Sequence, residues 1–363
     1  MGKIDFPIVS RHYEPSSESA AMPAASHLTV IVPAYNEAES IADTILSLQR
    51  QTLLPEEIIV VDDCSSDRTA EVARSFGVTV LQPPRNTGTK AGAQNFALSH
   101  VHTRYTIAID ADTTLAPDAI EKLMLAFDDP DVVAACGMVV PRHVHTVWER
   151  GRYVEYLFAF SFYKLIQDYY RRPLISSGCF SAYQTSDLKE VGGWPARTMA
   201  EDMDLTWTFH AQEQGVRFIG DAVCYPIEPH DYAFMSKQLR RWSHGFVQNV
   251  HVHWRSLLQV PVLRTLVAVA LWDAVFASLA YMVFLPLLAI FVSPWFLLAY
   301  LIDAPAIMLP VLRMALSRHE FWKAFASIPS FFVLRTVNGF FMLRAIWDEW
   351  VVRKRLTVYE KGH

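Results

Sequence analysis

Apolar positions change rhythm along this chain. Leu28–Val32, Glu57–Val61, Val78–Leu81 and Thr106–Ile109 are short β-rich runs, separated by stretches of helical periodicity at Glu39–Gln51, Asp67–Phe76 and Gly92–His100. Pro33 is expected to stop the first strand. Strands alternating with helices predict a Rossmann-like α/β fold with a mostly parallel sheet covered on both faces. In such sheets ligands collect at the carboxyl ends of the strands. Between Trp148 and Tyr170 the sequence is apolar nearly all round, which predicts a buried or membrane-skimming helix.

Past residue 260 the rhythm gives way to long apolar runs. Thr265–Val292 holds a single charge, Asp273, and Pro294–Leu312 holds only Asp303. Each approaches the roughly 20 apolar residues that cross a hydrocarbon core. A third run, Ala324–Trp347, is interrupted by Arg335 and Arg344. The Ser293-Pro294 link carries no charge, whereas Arg313, Arg318 and Lys323 follow the second run and Arg353, Lys354, Arg355 and Lys361 follow the third. Basic flanks favour the cytoplasmic side, so the first two runs predict a transmembrane hairpin and the third an interfacial or re-entrant helix, with three full spans as the alternative. An acid inside a span is costly, and Asp273 is therefore expected to face the bundle or an aqueous path. The resulting organisation is a flexible tail over 1–27, an α/β domain over 28–235, interfacial helices over 236–260, and a membrane region with a basic tail over 261–363.

Composition sharpens this division. The chain is 52% apolar and only 19% charged, below the roughly 25% usual for soluble domains. Residues 1–27 hold no long apolar run and read as neither signal peptide nor membrane span. A net charge of −5, with no basic cluster interleaved with aromatics, argues against a nucleic-acid partner. Cys64, Cys136, Cys179 and Cys224 show neither metal-ligand spacing nor a disulfide framework, which fits a reducing cytosolic setting. The alternating pairs His143/His145 and His251/His253 have no cysteine or carboxylate at matching spacing and read as surface or packing residues.

The polar residues that could do chemistry follow the strands. Pro33-Ala-Tyr-Asn-Glu37 comes after the first, Asp62-Asp63 after the second and Asp110-Ala-Asp112 after the fourth. The lesser alternative is that Asp63 to Ser66 simply cap the next helix. On extended backbone Asp110 and Asp112 would face the same way and could together meet a hard divalent cation. Such a cation would neutralise charge on a leaving nucleoside diphosphate. Ser176–Tyr183 reads as a small-residue strand able to line a close-fitting site, and Gly192-Gly-Trp-Pro195 as a turn ahead of a helix opening at Glu201-Asp202. The helix dipole favours negative charge there, suiting a general base, although first-turn acids also simply favour helices. Helical spacing puts Gln238, Arg241 and Trp242 on one face. They read either as a phosphate-binding and sugar-stacking surface or as an ordinary amphipathic helix with a buried tryptophan.

Taken in order, Val30–Glu39, Val60–Asp67, Asn86–Asn95, Asp110-Ala-Asp112, Glu201-Asp202 and Gln238-Leu-Arg-Arg-Trp242 resemble the family 2 inverting glycosyltransferases with a GT-A fold. The last two motifs and the apolar runs resemble its processive branch, the cellulose, chitin, hyaluronan and poly-N-acetylglucosamine synthases. The resemblance implies that Pro33, Tyr35, Glu37 and Asp63 surround base and ribose, with Asp63 on the uracil edge and Lys90 beside the nucleotide. It assigns Asp110 to the ribose-diphosphate region and, with Asp112, to Mg2+ or Mn2+. Asp202 would be the general base, with Glu201, Gln238, Arg241 and Trp242 at the diphosphate and acceptor.

The implied reaction moves a hexose or N-acetylhexosamine, glucose or N-acetylglucosamine above all, from a UDP-sugar to a glycan or glycolipid acceptor with inversion. The catalytic domain would be cytoplasmic on an integral membrane protein. Many processive members carry a span ahead of this domain, and none is read here. Two or three spans are thin for a polymer channel, which implies a homo-oligomer, an export partner, or single addition to a polyprenyl-phosphate or glycolipid. An inactive scaffold or nucleotide sensor is the remaining alternative, and the intact Asp110, Asp112 and Asp202 speak against it.

Overall fold

A computed structural model describes residues 27–357. The tail expected over 1–27 therefore lies almost wholly outside the described residues, as does Lys361. Eight strands form one sheet: β1 (Leu28–Ala34), β2 (Glu57–Asp62), β3 (Thr79–Leu81), β4 (Tyr105–Ile109), β5 (Thr114–Leu115), β6 (Val132–Val139), β7 (Phe180–Gln184) and β8 (Gly215–Tyr225). Their order is β3-β2-β1-β4-β7-β6-β8-β5. The first four run parallel to one another, β7 is antiparallel to both β4 and β6, and β6 pairs with β8 in parallel.

β5 is likewise antiparallel to β8, but it is the reversal at β7 that positions the site. Phe180 at the start of β7 sits opposite Ile109 at the end of β4. The loop entering β7 thus arrives at the same sheet edge as the loops leaving β1, β2 and β4. Pro33 does not stop β1, which continues to Ala34. Pairing with β4 ends at Ile31, and only β2 runs alongside residues 33 and 34. A proline without an N–H is tolerated where one side of a strand is unpaired.

Helices connect the strands: α1 (Ile41–Gln49), α2 (Thr69–Ser75), α3 (Lys90–Leu98), α4 (Ala119–Met124), α5 (Val147–Phe158), α6 (Lys164–Tyr169), α7 (Thr185–Glu190), α8 (Glu201–Ala211) and α9 (Tyr232–Val252). Thr146 and Glu149 form a reciprocal capping box at the start of α5. The aromatic run is this helix, a π-helical segment at Ala159–Tyr163, and α6. Tyr153, Val154 and Leu157 are buried inward while Phe162, Tyr163, Leu165, Ile166 and Tyr169 are exposed. One face is core and the other is an apolar surface, consistent with a helix that skims a bilayer.

Among the described residues three helices are long and apolar enough to cross a membrane: Pro261–Phe291, Pro294–Ser317 and Phe321–Val352. The third, expected to be interfacial with a full span as the alternative, is among them by length and composition, and its charges are answered. Arg335 reaches Asp303 at 2.7 Å and Arg344 reaches Asp348 at 2.8 Å. Arg335 also lies 3.9 Å from Asp273 and 4.4 Å from the Tyr281 ring. Asp273 thus meets the bundle on one side, while its side chain is 72% exposed on the other.

The sheet and these helices share one core. Val30 and Ile107 belong to the same cluster as Tyr153, Leu157, Val311, Ala315 and Ala324. Gly151 of α5 allows the close approach, since a Cβ there would meet the Ser330 carbonyl at 2.8 Å and Leu334 Cβ at 2.9 Å.

Candidate active site

Four loops and one helix start meet at the carboxyl edge of the parallel strands. Lys90, the first residue of α3, contacts Asp110 Oδ1, donates to the Gly178 carbonyl at 2.9 Å, and lies 3.9 Å from Glu201 Oε1. Asp202 follows in the first turn of α8. Its Oδ2 accepts the Gly178 N–H at 2.9 Å and its Oδ1 accepts the Met203 N–H at 2.8 Å. Lys90, Asp110, Glu201 and Asp202 are thereby gathered round one glycine. A Cβ on Gly178 would stand 2.9 Å from Asp202 Oδ2 and 3.1 Å from Lys90 Nζ, so no side chain fits without moving the carboxylate or the ammonium.

Charge within this group is balanced unevenly. Burial and the neighbouring Asp202 push Glu201 above the ordinary carboxylate range, and Lys90 and Arg241 offset only part of that. The start of α8 is held from two sides. Asn95 of α3 donates to the Trp194 carbonyl and accepts the Trp194 N–H, both at 2.8 Å. From α9, Gln248 accepts the Met199 N–H at 2.9 Å and Asn249 donates to the Ala200 carbonyl at 3.1 Å. Below them, fully buried Asp204 accepts two bonds from Arg197 at 2.9 and 2.7 Å and lies 2.7 Å from His253 Nε2. Burial pushes Asp204 upward, but Arg197 and His253 more than offset this and hold it below the usual range. His253 is thus a packing residue with a carboxylate partner, and the His143 and His145 rings stack on each other 5.9 Å apart.

Not every strand-end carboxylate is open. Asp63 does not cap α2, which is served by Asp67 bonding the Thr69 N–H at 2.9 Å. Both oxygens of Asp63 instead hold Thr87, one on its N–H and one on its hydroxyl, each at 2.8 Å. Glu37 is buried, accepting from Ser40 at 2.6 Å, while Tyr35 is exposed and Pro33 half-buried at the same edge. Asp110 and Asp112 lie not on extended backbone but across a turn in which the Thr113 N–H bonds the Asp110 carbonyl at 3.1 Å. Arg142 donates to the Asp112 carbonyl at 3.0 Å and steadies that turn. The run expected as a strand from Ser176 becomes one only at Phe180, and residues 176–179 are the loop that carries Gly178.

Among the described residues no group of three or more His, Cys, Asp or Glu side chains is arranged to hold a metal. Asp110 and Asp112 nevertheless fit a hard cation shared with a ligand, because Mg2+-type sites take one or two carboxylates and complete their shell with phosphate and water.

Gln238, Arg241 and Trp242 lie on α9. Gln238 Oε1 accepts from Arg152 of α5 at 2.8 Å, and the Arg152 guanidinium stands 4.6 Å over the Trp242 ring. Arg152 also contacts Glu155 and lies 3.5 Å from Glu228, which accepts from the Tyr156 hydroxyl at 2.8 Å. Arg152, Thr87 and Gly178 had no sequence signal of their own. The Thr146-x-x-Glu149 box announces α5 but not which of its residues points at α9.

Residues 29–192 match the sequence profile described as Glycosyl transferase family 2. The chain carries a family 2 glycosyltransferase domain. It is distantly similar to poly-beta-1,6-N-acetyl-D-glucosamine synthases, 27% identical over 223 residues to that of Staphylococcus epidermidis and 28% over 225 residues to that of Staphylococcus aureus strain COL. Each match covers 60% of this chain and 54% of the relative, so the chain spans about half the length of the curated relatives it matches. A solved mannosyltransferase from Pyrobaculum calidifontis, in complex with GDP-Man and Mn2+, is similar in fold, with a TM-score of 0.62 at 20% identity over 90% of this chain and 88% of that one. The glycosyltransferase sheet is GT-A-like, and the three apolar helices follow it.

Proposed function

We propose that this glycosyltransferase is a membrane-bound inverting enzyme that transfers a hexose or N-acetylhexosamine, glucose or N-acetylglucosamine first, from a UDP-sugar to a growing β-linked glycan on the cytoplasmic face. The observation that carries the reading is the convergence of Lys90, Asp110, Glu201 and Asp202 around Gly178 at the strand ends. The likeness to poly-N-acetylglucosamine synthases supports the choice of donor class.

The residues divide the work. Tyr35, Glu37 and the Asp63–Thr87 pair frame the nucleoside. Lys90 and Arg241 face the diphosphate as fixed cations, and arginine's fork suits its oxygens. Asp110 and Asp112 would hold Mg2+ or Mn2+, which when bound screens charge on the leaving diphosphate. Two backbone amides orient the Asp202 carboxylate, leaving lone pairs to take the acceptor proton. The acceptor oxygen bonds to the anomeric carbon as the carbon–oxygen bond to the diphosphate breaks, its electron pair leaving with the nucleotide. One displacement from the opposite face inverts the centre. Trp242, 37% exposed, offers an aromatic plane to the acceptor sugar.

A second reading, single addition to a polyprenyl-phosphate or glycolipid, rests on one observation: the polymer synthases match only 60% of this chain and 54% of their own length. Detergent-purified enzyme supplied with Mg2+ or Mn2+ and a panel of UDP-sugars plus GDP-mannose tests both. A ladder of products that Asp202→Asn abolishes supports the polymer reading. One added sugar on a lipid acceptor moves the assignment to the second, and no nucleotide release with any donor and acceptor sinks both.

A further inference from the structure

Arg152 is 1% exposed yet stands beside two carboxylates, Glu155 and Glu228. Burying such a group costs more than an apolar residue of similar size, so packing alone does not account for it. Its planar fork is used in several directions at once, on Gln238, on Glu155 and over the Trp242 ring. Glu155 in turn accepts from Asn338 of the third apolar helix at 2.9 Å.

Resting on the acceptor role proposed for Trp242, we infer that Arg152 is a positioning residue for the acceptor platform. It covers the inner face of the Trp242 ring and fixes Gln238, so that an acceptor sugar meets the outer face alone, and through Glu155 and Asn338 it anchors this platform to the third apolar helix. A cation over one face also withdraws the ring from rotation about its side-chain bonds, which pre-organises the surface on which a pyranose stacks. Lysine would keep the charge but not the fork that reaches Gln238, Glu155 and Trp242 together.

The test is oligosaccharide and nucleotide binding by the full-length protein in detergent, using β-linked gluco-oligosaccharides and UDP as probes. Arg152→Lys is expected to weaken oligosaccharide binding about tenfold, the loss of one desolvated cation–π contact, and to leave UDP binding within twofold. Trp242→Ala is expected to weaken it at least as much, with the two changes together adding little. Should Arg152→Lys prove poorly folded, Arg152→Met with Glu155→Gln and Glu228→Gln removes all three charges together and is expected to give the same selective loss. Unchanged oligosaccharide binding, parallel loss of UDP binding, or additive effects of Arg152→Lys and Trp242→Ala would each overturn the inference. Because binding is read without turnover, an enzyme that binds oligosaccharide through Trp242 but transfers no sugar would sink the proposed function while leaving the role of Arg152 standing.

Discussion

The strand-end cluster and the helical platform beside it solve the same problem in opposite ways. At the strand ends, short side chains are fixed by backbone: Asp202 by the Gly178 and Met203 amides, Asp63 by Thr87. On the platform, long side chains from separate helices fix one another, with Arg152 joining α5 to α9 and Glu155 joining α5 to the third apolar helix. Backbone-held groups tolerate little movement, which suits bond making. Side-chain-held groups can be retuned by one substitution, which suits choosing an acceptor.

Breaking the first arrangement should cost most. Asp202→Asn keeps the amide contacts' shape but removes the proposed proton acceptor, and transfer should fall about 10²–10⁴-fold while UDP binding by calorimetry persists. Next comes the support beneath it. Asp204→Ala removes a buried carboxylate that holds the half-exposed Arg197 and the buried His253 and should cost about 1–3 kcal/mol of stability, read as a lower thermal midpoint in detergent. The pair also sets an acid limit. With its folded value lowered, Asp204 stabilises fully above the ordinary carboxylate range and loses that contribution as pH falls through the lowered value. Arg197→Ala should therefore flatten the acid limb of a stability–pH curve. Gly178→Ala should lower transfer by about 10²-fold through displacement of Asp202 or Lys90, with little change in midpoint; equal activity would mean that the loop yields. The smallest effect belongs to Asp273→Leu, 3.9 Å from Arg335 and 72% exposed. It should shift the midpoint less than Asp303→Leu, which breaks the 2.7 Å contact.

The same contrast decides what could be read from sequence. Strand-end residues announce themselves because period-2 apolar runs locate the strand and the next polar residues must lie at its end, as with Asp63 and Asp110. The parallel half of the sheet was legible for that reason. The reversal at β7 was not, because a five-residue strand carries no mark of direction, and with it Gly178 stayed hidden among small residues. Arg152 was harder still. Its partners Gln238 and Trp242 are 86 and 90 positions away, and an arginine two residues from Arg150 looks like one of a pair of exposed charges. The partner of Arg335 was hidden in the same way, because its counter-ion Asp303 sits on another apolar run.

The meeting of Asp273, Asp303 and Arg335 has a consequence for biogenesis. Each of the three apolar helices contributes one of these groups, and the only cation of the three comes last in the chain. In a bilayer, the first two helices reach the hydrocarbon carrying acids whose counter-charge has not yet been synthesised. They would have to wait at the insertion machinery, or bury their acids against each other, until Phe321–Val352 emerges. Ribosome release before that helix would leave both acids without Arg335, so the last apolar helix completes the charge balance of the first two.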